Sequence, residues 1–313
     1  MPAARVEQRH GGPPLTLALS GASGLIGSAL EPHLSRSGHR VLRLVRRPAR
    51  GDREIPWEPG SGRLDGGRLQ GIDAAIHLSG EPIAPRRWTE RRRRAIRGSR
   101  IESTQLLSTT LAQLDPPPSV LLAASAVGFY GDRADQWLDE SSAPGEGFLA
   151  QVCREWEAAT RPARDAGVRV VNLRIGIVLS RAGGALAALL WPFRMGLGGP
   201  LGDGRQYQSW ISLEDLLRAI HRALRDESLA GALNLTAPEP VPQAELARTL
   251  GRVLHRPSRL RVPAAWLRLA LGEMADETLL ASQRVRPARL LESGFHFHHP
   301  ELEPALRAEL DRG

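Results

Sequence analysis

The sequence predicts an α/β protein with a Rossmann-like, doubly wound parallel sheet and a smaller C-terminal substrate lobe. Apolar runs at residues 15–19 and 39–45 flank a glycine turn and a helical segment at residues 28–37. Further apolar runs at residues 73–78, 119–127 and 168–179 alternate with helical stretches, as in a parallel sheet. Strand, glycine turn, helix and strand in that order form the unit that binds a dinucleotide.

The turn after the first strand is the predicted phosphate-binding site. Its glycines allow a tight turn and a close approach to a pyrophosphate, and the following helix offers free N–H groups and a positive dipole end. Because the chain has 32 glycines, a glycine motif alone is weak evidence, and the strand and helix beside this motif are what make it specific. The predicted contacts are Gly21, Ala22, Ser23, Gly24, Leu25, Ile26 and Gly27.

The second strand ends in Arg46 and Arg47 rather than in an acid. A site for NAD usually places Asp or Glu here to bind the ribose 2′-hydroxyl. A carboxylate would repel a 2′-phosphate, whereas a guanidinium binds it in a charge-assisted pair. We therefore predict NADP as the cofactor, with Arg46 as the first contact and Arg47 as the second. The alternative is that both arginines are solvated in a loop.

Composition sets the class of protein. A chain of 313 residues with 42% hydrophobic content suits one large domain, or a core with a smaller lobe. The single cysteine, Cys153, excludes an internal disulfide framework and favours the cytoplasm. Residues 1–14 lack the apolar region of a signal peptide and are predicted to be a disordered tail. No apolar run approaches the roughly 18 residues of a membrane span, so we predict no membrane partner.

Arginine supplies all 42 basic residues, since the chain has no lysine, and the net charge is +8. The densest run, residues 86–94, would suit a phosphate-binding patch, but no nucleic-acid fold signature accompanies it. We favour a solvated helix face and no nucleic-acid partner. Short-chain dehydrogenases use a Tyr-x-x-x-Lys pair, in which the ammonium lowers the tyrosine pKa. That pair is excluded here, because neither Tyr130 nor Tyr207 has a lysine four residues on.

The first half of the chain alternates between strands and helices. Residues 51–71 predict a loop or weak hairpin, and residues 73–80 an apolar strand that ends at Leu78, Ser79 and Gly80. That end suits the adenine and ribose of the cofactor. We interpret His77 as a packed, hydrogen-bonded residue rather than a ligand or base. A helix is predicted over residues 89–114, stopped by the prolines at 116–118.

Three more elements complete the predicted NADP-binding domain, residues 15–180. Residues 119–131 predict a buried parallel strand that runs into a turn, and Ser125 is placed at the carboxyl end of that strand, where open α/β sheets place functional side chains. A helix over residues 145–166 contains Cys153, and a core strand over residues 168–179 contains Arg174. A helix at 213–224 and a strand at 232–235 return to this sheet, so that residues of about 213–235 complete the domain.

Residues 181–212 and 236–313 are assigned to the substrate-binding lobe. The glycine-dense stretch 196–206 predicts a flexible wall of the cleft, and residues 243–255 predict a helix. In residues 266–281, apolar positions at 267, 269, 271 and 274 predict the packing of this lobe. His296 and His298 alternate and would point the same way on a strand, but no cysteine or carboxylate stands at supporting spacing. We predict no metal.

The ordered motifs resemble those of the epimerase family of atypical short-chain dehydrogenases/reductases, within the NAD-dependent epimerase/dehydratase superfamily. The resemblance runs from about residue 15 to residue 310. Its motifs are the glycine turn and residues 78–83, 87–89, 99–100, 125–131, 196–206, 210–211, 283–287 and 294–295.

The resemblance implies an altered active-site set, in which serine is kept, cysteine often replaces the lysine and arginine replaces the asparagine. Ser125, Cys153 and Arg100 match these three positions. Leu149, four residues before Cys153, matches the tyrosine and cannot transfer a proton. The chain departs from the commoner family pattern at residue 77, often Asn, and at residue 212, often His.

Two functions stay open. The first is an NADP-dependent oxidoreductase or epimerase-like enzyme acting on an unidentified small polar substrate, with Ser125 polarising a carbonyl and Tyr130 as the nearest acid or base. Cys153 and Arg100 complete its candidate catalytic residues. Arg174 or Arg205 would hold an anionic group, and Ser125 and Arg174 would also contact the cofactor.

The alternatives for these residues are a packed Tyr130 and an inert core Cys153. The second function is a non-catalytic protein that senses NADP(H) or binds a partner, which the missing Tyr-Lys pair favours. The sequence leaves the substrate and the oligomeric state undetermined.

Overall fold

The computed structural model describes residues 12–84 and 87–311. Residues 1–11 of the predicted tail, and Arg86 of the arginine run, lie outside the described residues. The described chain folds into one large sheet, three two-stranded sheets and ten α-helices.

The strands are named in chain order. They are β1 (Thr16–Ser20), β2 (Arg40–Val45), β3 (Glu54–Glu58), β4 (Arg63–Leu64), β5 (Ala74–His77), β6 (Val120–Ala126), β7 (Trp137–Leu138), β8 (Arg169–Ile175), β9 (Ile177–Leu179), β10 (Tyr207–Gln208), β11 (Trp210–Ser212), β12 (Gly231–Leu235), β13 (Val241–Pro242) and β14 (Arg284–Val285).

The helices follow the same convention. They are α1 (Leu25–Arg36), α2 (Glu90–Ala112), α3 (Phe148–Ala158), α4 (Arg161–Asp165), α5 (Gly184–Arg194), α6 (Leu213–Arg225), α7 (Gln243–Val253), α8 (Ala264–Leu271), α9 (Ala288–Glu292) and α10 (Leu302–Leu310). Short 3₁₀ turns lie at Pro59–Ser61, Gly66–Leu69 and Val127–Tyr130, and a π-helical turn at Ala275–Leu279.

The large sheet has eight strands in the order β12-β8-β6-β5-β1-β2-β3-β4. All of its neighbouring strands are parallel except β3 and β4, which form a short antiparallel hairpin. The carboxyl ends of β1, β2, β5, β6 and β8 therefore lie along one edge, where open α/β sheets bind ligands. The hairpin confirms the weak hairpin predicted for residues 51–71, and the pairing of β12 with β8 confirms the predicted return of the chain to the sheet.

Helices cover both faces of the sheet. One face packs against α1 and α6, through Leu30, Leu34 and Ile220 among others. The opposite face packs against α2 and α4, through residues that include Leu107 and Ala163. This arrangement confirms the predicted Rossmann-like, doubly wound fold.

Two predicted elements are interrupted, each for a local reason. The helix predicted over residues 145–166 divides into α3 and α4, because Pro162 in the first turn of α4 has no N–H to continue the hydrogen-bonded turns of α3. The strand predicted over residues 168–179 divides into β8 and β9 at Gly176. A Cβ atom there would lie 2.6 Å from the carbonyl oxygen of Ser209, so the chain turns where the two backbones meet.

The smaller lobe packs mainly through α5, α7 and α10, with side chains such as Leu190, Leu250 and Leu306. The prediction that residues 266–281 supply this packing is wrong in part. Leu267 and Met274 are buried, but Trp266 and Leu269 on α8 are 65% and 66% exposed, because most of this short helix lies on the surface.

The end of the chain returns to the large domain. Leu290 on α9 is fully buried in the same core as β1, β5 and β6, and Phe295 and Phe297 pack against that core. Part of the segment assigned to the substrate lobe therefore stabilises the sheet instead. Within residues 12–84 and 87–311, no helix is both long enough and apolar enough to cross a bilayer.

Candidate functional site

The glycine turn between β1 and α1 has the shape that a pyrophosphate requires. Gly21 has φ of +73°, and a Cβ atom on Gly27 would lie 2.1 Å from the Gly21 carbonyl oxygen. Gly24 caps α1 without a side chain, and no acidic residue lies in the first turn. The amides of Leu25 and Ile26 have no partner within the helix, so they are available to an anion.

The two arginines after β2 lie in different environments. Arg47 donates from Nη1 and Nη2 to the two carboxylate oxygens of Glu54 on β3, both at 2.7 Å. Arg43 lies 3.0 Å from the same carboxylate, and these partners lower the pKa of Glu54 to about 2, with Arg47 contributing most. Arg46 is exposed and makes no hydrogen bond or ion pair with any residue that the structure describes. Arg46 is thus available to a phosphate, whereas Arg47 is already neutralised by Glu54.

Leu78, Ser79 and Gly80 follow β5 at the same edge of the sheet. A Cβ atom on Gly21 would lie 2.7 Å from the Leu78 carbonyl oxygen, so the loop after β5 touches the glycine turn. The Leu78 N–H donates to the carbonyl and hydroxyl oxygens of Ser20, at 3.3 and 3.2 Å. Together the glycine turn and the loop after β5 form one continuous surface that lines a groove, which we call the cofactor groove.

His77 lies behind this wall as a packed residue, as the sequence predicts. Its ring is fully buried, with Nδ1 2.6 Å from the Ser20 hydroxyl and Nε2 3.1 Å from the Ser103 hydroxyl. Because Ser103 donates its own proton to the Ser99 carbonyl, Nε2 of His77 carries the hydrogen that Ser103 accepts. Burial lowers the pKa of His77 to about 3, so the ring is neutral and links β1, β5 and α2.

The three positions that match the family's active-site set lie together at the carboxyl edge of the sheet. Ser125 is near the end of β6, Cys153 is on α3 and Arg100 is on α2. Burial raises the pKa of the Cys153 thiol to about 12 and outweighs Arg100 and Ser125, which act in the opposite direction. The Arg100 guanidinium donates to the carbonyl oxygens of Glu81 and Ile96, both at 3.0 Å. At neutral pH the thiol stays protonated, which supports the inert alternative for Cys153 over a thiolate donor.

A buried hydrogen-bond network lies beside these positions and is centred on Glu157. The Ser125 hydroxyl donates to Oε1 of Glu157 at 2.7 Å, and Arg174 donates to both carboxylate oxygens at 2.8 and 2.9 Å. Arg174 also donates to the Tyr130 hydroxyl at 3.0 Å, and that hydroxyl donates to Asn234 at 2.8 Å. The network joins β6, α3, β8 and β12.

This network bears on three predicted roles. Tyr130 is fully buried, burial raises its pKa to about 12, and both partners of its hydroxyl are protein groups, which supports the packed alternative over an acid or base. Arg174 is 5% exposed and already donates to Glu157 and Tyr130. The Ser125 hydroxyl donates its proton to Glu157 and so presents lone pairs, which favour a donor such as a hydroxyl over a carbonyl. Arg205 is exposed and remains available to an anionic group.

The sequence analysis did not identify two residues of the site, Glu157 and Glu277. Glu157 follows Leu149 and Cys153 at intervals of four, which places all three on one face of α3, and this spacing could have identified it. Glu277 of the π-helical turn accepts the N–H groups of Phe148 and Leu149 at 2.9 and 3.0 Å, and so caps α3 from the C-terminal lobe. No local signal joins residues so far apart in the chain.

The histidines near the C-terminus have other partners. Nδ1 of His298 lies 2.8 Å from the Glu214 carboxylate, and Phe295 and Phe297 pack edge to face beside it. In the described part of the chain, no cluster of three or more His, Cys, Asp or Glu side chains could hold a metal ion.

The arginine run begins α2 and is partly used inside the protein. Arg92 lies 2.6 Å from Glu81, and Arg93 lies 3.0 Å from Glu273 on the other lobe. Both ion pairs hold α2 against neighbouring segments, so Arg92 and Arg93 are not merely solvated as the sequence predicts.

Comparison with known proteins places this geometry in a family. The model of the NAD dependent epimerase/dehydratase family matches residues 17–235, and a domain of unknown function matches residues 262–309. The first match covers the sheet, the glycine turn and Ser125. The second covers α8, α9 and most of α10.

Individual relatives agree with these matches. Epimerase family protein Mb2239 of Mycobacterium bovis is 47% identical over 290 residues, which cover 93% of this chain and 96% of that protein. The crystal structure of human epimerase family protein SDR39U1 with NADPH is 35% identical, with a TM-score of 0.87 over 95% of this chain and 99% of that chain. A nucleoside-diphosphate sugar epimerase from Corynebacterium glutamicum is 36% identical, with a TM-score of 0.79 over 95% of this chain and 58% of that one. The chain therefore belongs to the NAD dependent epimerase/dehydratase family, within which its relatives are named epimerase family proteins.

Proposed function

We propose that this chain binds NADP(H) and acts as an oxidoreductase or epimerase-like enzyme on a small polar substrate. The observation that carries the choice of cofactor is the exposed Arg46, which has no partner among the residues that the structure describes and follows β2 beside a glycine turn with open amides. A guanidinium at that place binds a 2′-phosphate, and it does not oppose the binding of any other group of the cofactor. The crystal structure of human SDR39U1 with NADPH supports the same choice.

Different residues of the cofactor groove bind different parts of NADP(H). The first amides of α1 hold the pyrophosphate, Arg46 holds the 2′-phosphate, and residues 78–80 flank the adenine and ribose. When bound, the cofactor supplies or accepts a hydride. Ser125, fixed by Glu157, presents an acceptor oxygen and so orients a substrate hydroxyl rather than a carbonyl.

Titration of the purified protein with NADPH, NADP⁺, NADH and NAD⁺ tests this proposal. We expect the phosphorylated coenzymes to bind more tightly. Arg46→Ala should weaken NADPH about 10- to 100-fold, since a hydrogen bond to a charged group contributes about 1.5–3 kcal/mol, and should leave NADH unchanged. Arg53→Ala, at an exposed arginine immediately before β3, is the matched control. A preference for NADH that survives Arg46→Ala would refute the proposal.

One observation favours a second candidate, a non-catalytic NADP(H) sensor. The thiol of Cys153 and the phenol of Tyr130 both have pKa values of about 12, and the Ser125 hydroxyl is bound to Glu157. None of these groups exchanges a proton with a substrate readily near neutral pH.

Two measurements separate the candidates. NADPH oxidation with carbonyl substrates, or NADP⁺ reduction with hydroxyl substrates, would support the enzyme if the turnover is lost in Ser125→Ala. No turnover, together with a partner affinity that differs between NADP⁺ and NADPH, would support the sensor, because a ligand shifts a state only through differential binding.

A further inference from the structure

A second candidate binding site lies on the C-terminal lobe, in a cleft of about 770 Å³ between α7 and the loop after it. Ten residues line this cleft, and none of them belongs to the cofactor groove. Four are arginines, one is His255, and none of the ten is acidic. Arginine makes up 42 of the 313 residues of the chain, so four in ten is an enrichment of roughly threefold. We call this feature the arginine cleft; its arginines are Arg248, Arg252, Arg256 and Arg259.

The floor of the arginine cleft is held in place by backbone contacts. A Cβ atom on Gly251 of α7 would lie 2.7 Å from Cβ of Ser258, so the loop rests directly on the helix. Arg256 donates from Nε to the carbonyl oxygen of Arg194 at 3.0 Å, and from Nη1 to that of His255 at 3.2 Å. These bonds orient its guanidinium at the cleft.

The loop leaves α7 through a left-handed helix cap. His255 has φ of +52°. Its N–H donates to the carbonyl oxygen of Arg252 at 3.1 Å, and the N–H of Arg256 donates to that of Gly251 at 2.9 Å. These two bonds end the helix as a Schellman motif and fix the start of the loop.

Only two of the four arginines in the arginine cleft pair with an acidic side chain among the described residues. Arg248 pairs with Glu245 at 2.7 Å, and Arg252 pairs with Glu303 at 3.0 Å. Arg256 and Arg259 have no acidic partner among the residues that the structure describes. Guanidinium groups bind phosphate oxygens in forked, charge-assisted pairs, so a multiply charged anion would satisfy the two unbalanced arginines together.

We propose that the arginine cleft binds a small molecule with two or more phosphate groups, independently of the NADP(H) site. Its volume lies within the roughly 300–1,000 Å³ typical of small-molecule sites. A cleft lined by ten residues suits a compact anion better than an extended polynucleotide, which needs a long basic surface. The proposal goes beyond the cofactor and does not depend on it.

Calorimetric titration with inorganic tripolyphosphate, at fixed salt and with and without saturating NADPH, tests the site. We expect one equivalent to bind in both conditions. Arg259→Gln should weaken binding at least tenfold, and Arg248→Gln should weaken it less, because Glu245 already offsets that charge. The matched control is Arg161→Gln, at an arginine on α4 whose side chain is 79% exposed.

Four results would overturn the proposal. Three of them are no binding at millimolar tripolyphosphate, equal weakening by Arg161→Gln, and loss of binding when NADPH is saturating, which would place the anion in the cofactor groove. Tighter binding of a single-stranded oligonucleotide than of tripolyphosphate, with a steep salt dependence, would likewise replace the small molecule with nucleic acid. If NADPH fails to bind at all, the titration without NADPH still tests whether the arginine cleft binds tripolyphosphate. In that case Arg46→Ala must leave tripolyphosphate binding unchanged, which excludes binding in the cofactor groove.

Discussion

Acidification from pH 7 to pH 5 should destabilise this protein through His77. Burial lowers the pKa of its ring from 6.5 to about 3, whereas the unfolded chain takes up a proton near pH 6.5. Between these values the unfolded state binds more protons, so the free energy of unfolding falls as the pH falls. The full shift corresponds to about 5 kcal/mol, and the part between pH 7 and pH 5 to about 2 kcal/mol.

Urea unfolding of the wild type and of His77→Asn at both pH values isolates this contribution, because other titrating groups cancel in the comparison. Asparagine keeps a polar side chain between Ser20 and Ser103 but does not titrate. We expect the pH-dependent loss of stability to be about 2 kcal/mol smaller in His77→Asn than in the wild type. His296→Asn, at an exposed histidine, should behave like the wild type. An equal loss in the wild type and in His77→Asn would refute the reasoning.

Two further predictions concern the other buried titratable groups. Tyr130→Phe should lower the free energy of unfolding by about 2–4 kcal/mol, because Arg174 and Asn234 each lose a buried partner. The dissociation constant of NADPH should stay within twofold of the wild type. A loss of turnover at unchanged stability would return Tyr130 to a catalytic role. Cys153 should resist iodoacetamide at pH 8 in the native protein and react in urea, because only the thiolate is nucleophilic. Mass spectrometry follows the labelling, and rapid labelling of the native protein would contradict the thiol pKa of about 12.

Much of the framework was predictable because local rules apply to it. The apolar runs, the glycine turn and the prolines at 116–118 predict β1, α1, β2 and α2 to within a few residues. His77 was also predictable as a packed residue, since an apolar strand leaves its ring no access to solvent. The exposed Trp266 and Leu269 were not, because the apolar pattern of a segment does not show whether another element covers it.

The sequence by itself determined the fold class, the position of the glycine turn between β1 and α1, and the absence of a Tyr-Lys pair, because these depend on residue type and on short-range spacing. Only the tertiary structure decided which ionisable groups remain free. Arg46 and Arg47 are adjacent in the chain, yet β3 brings Glu54 to Arg47 alone. The Tyr130 hydroxyl is bound within the protein because β12 supplies Asn234 from 104 residues away. The partner of a side chain is set by the pairing of distant strands, and that partner decides whether the side chain serves a ligand or the fold.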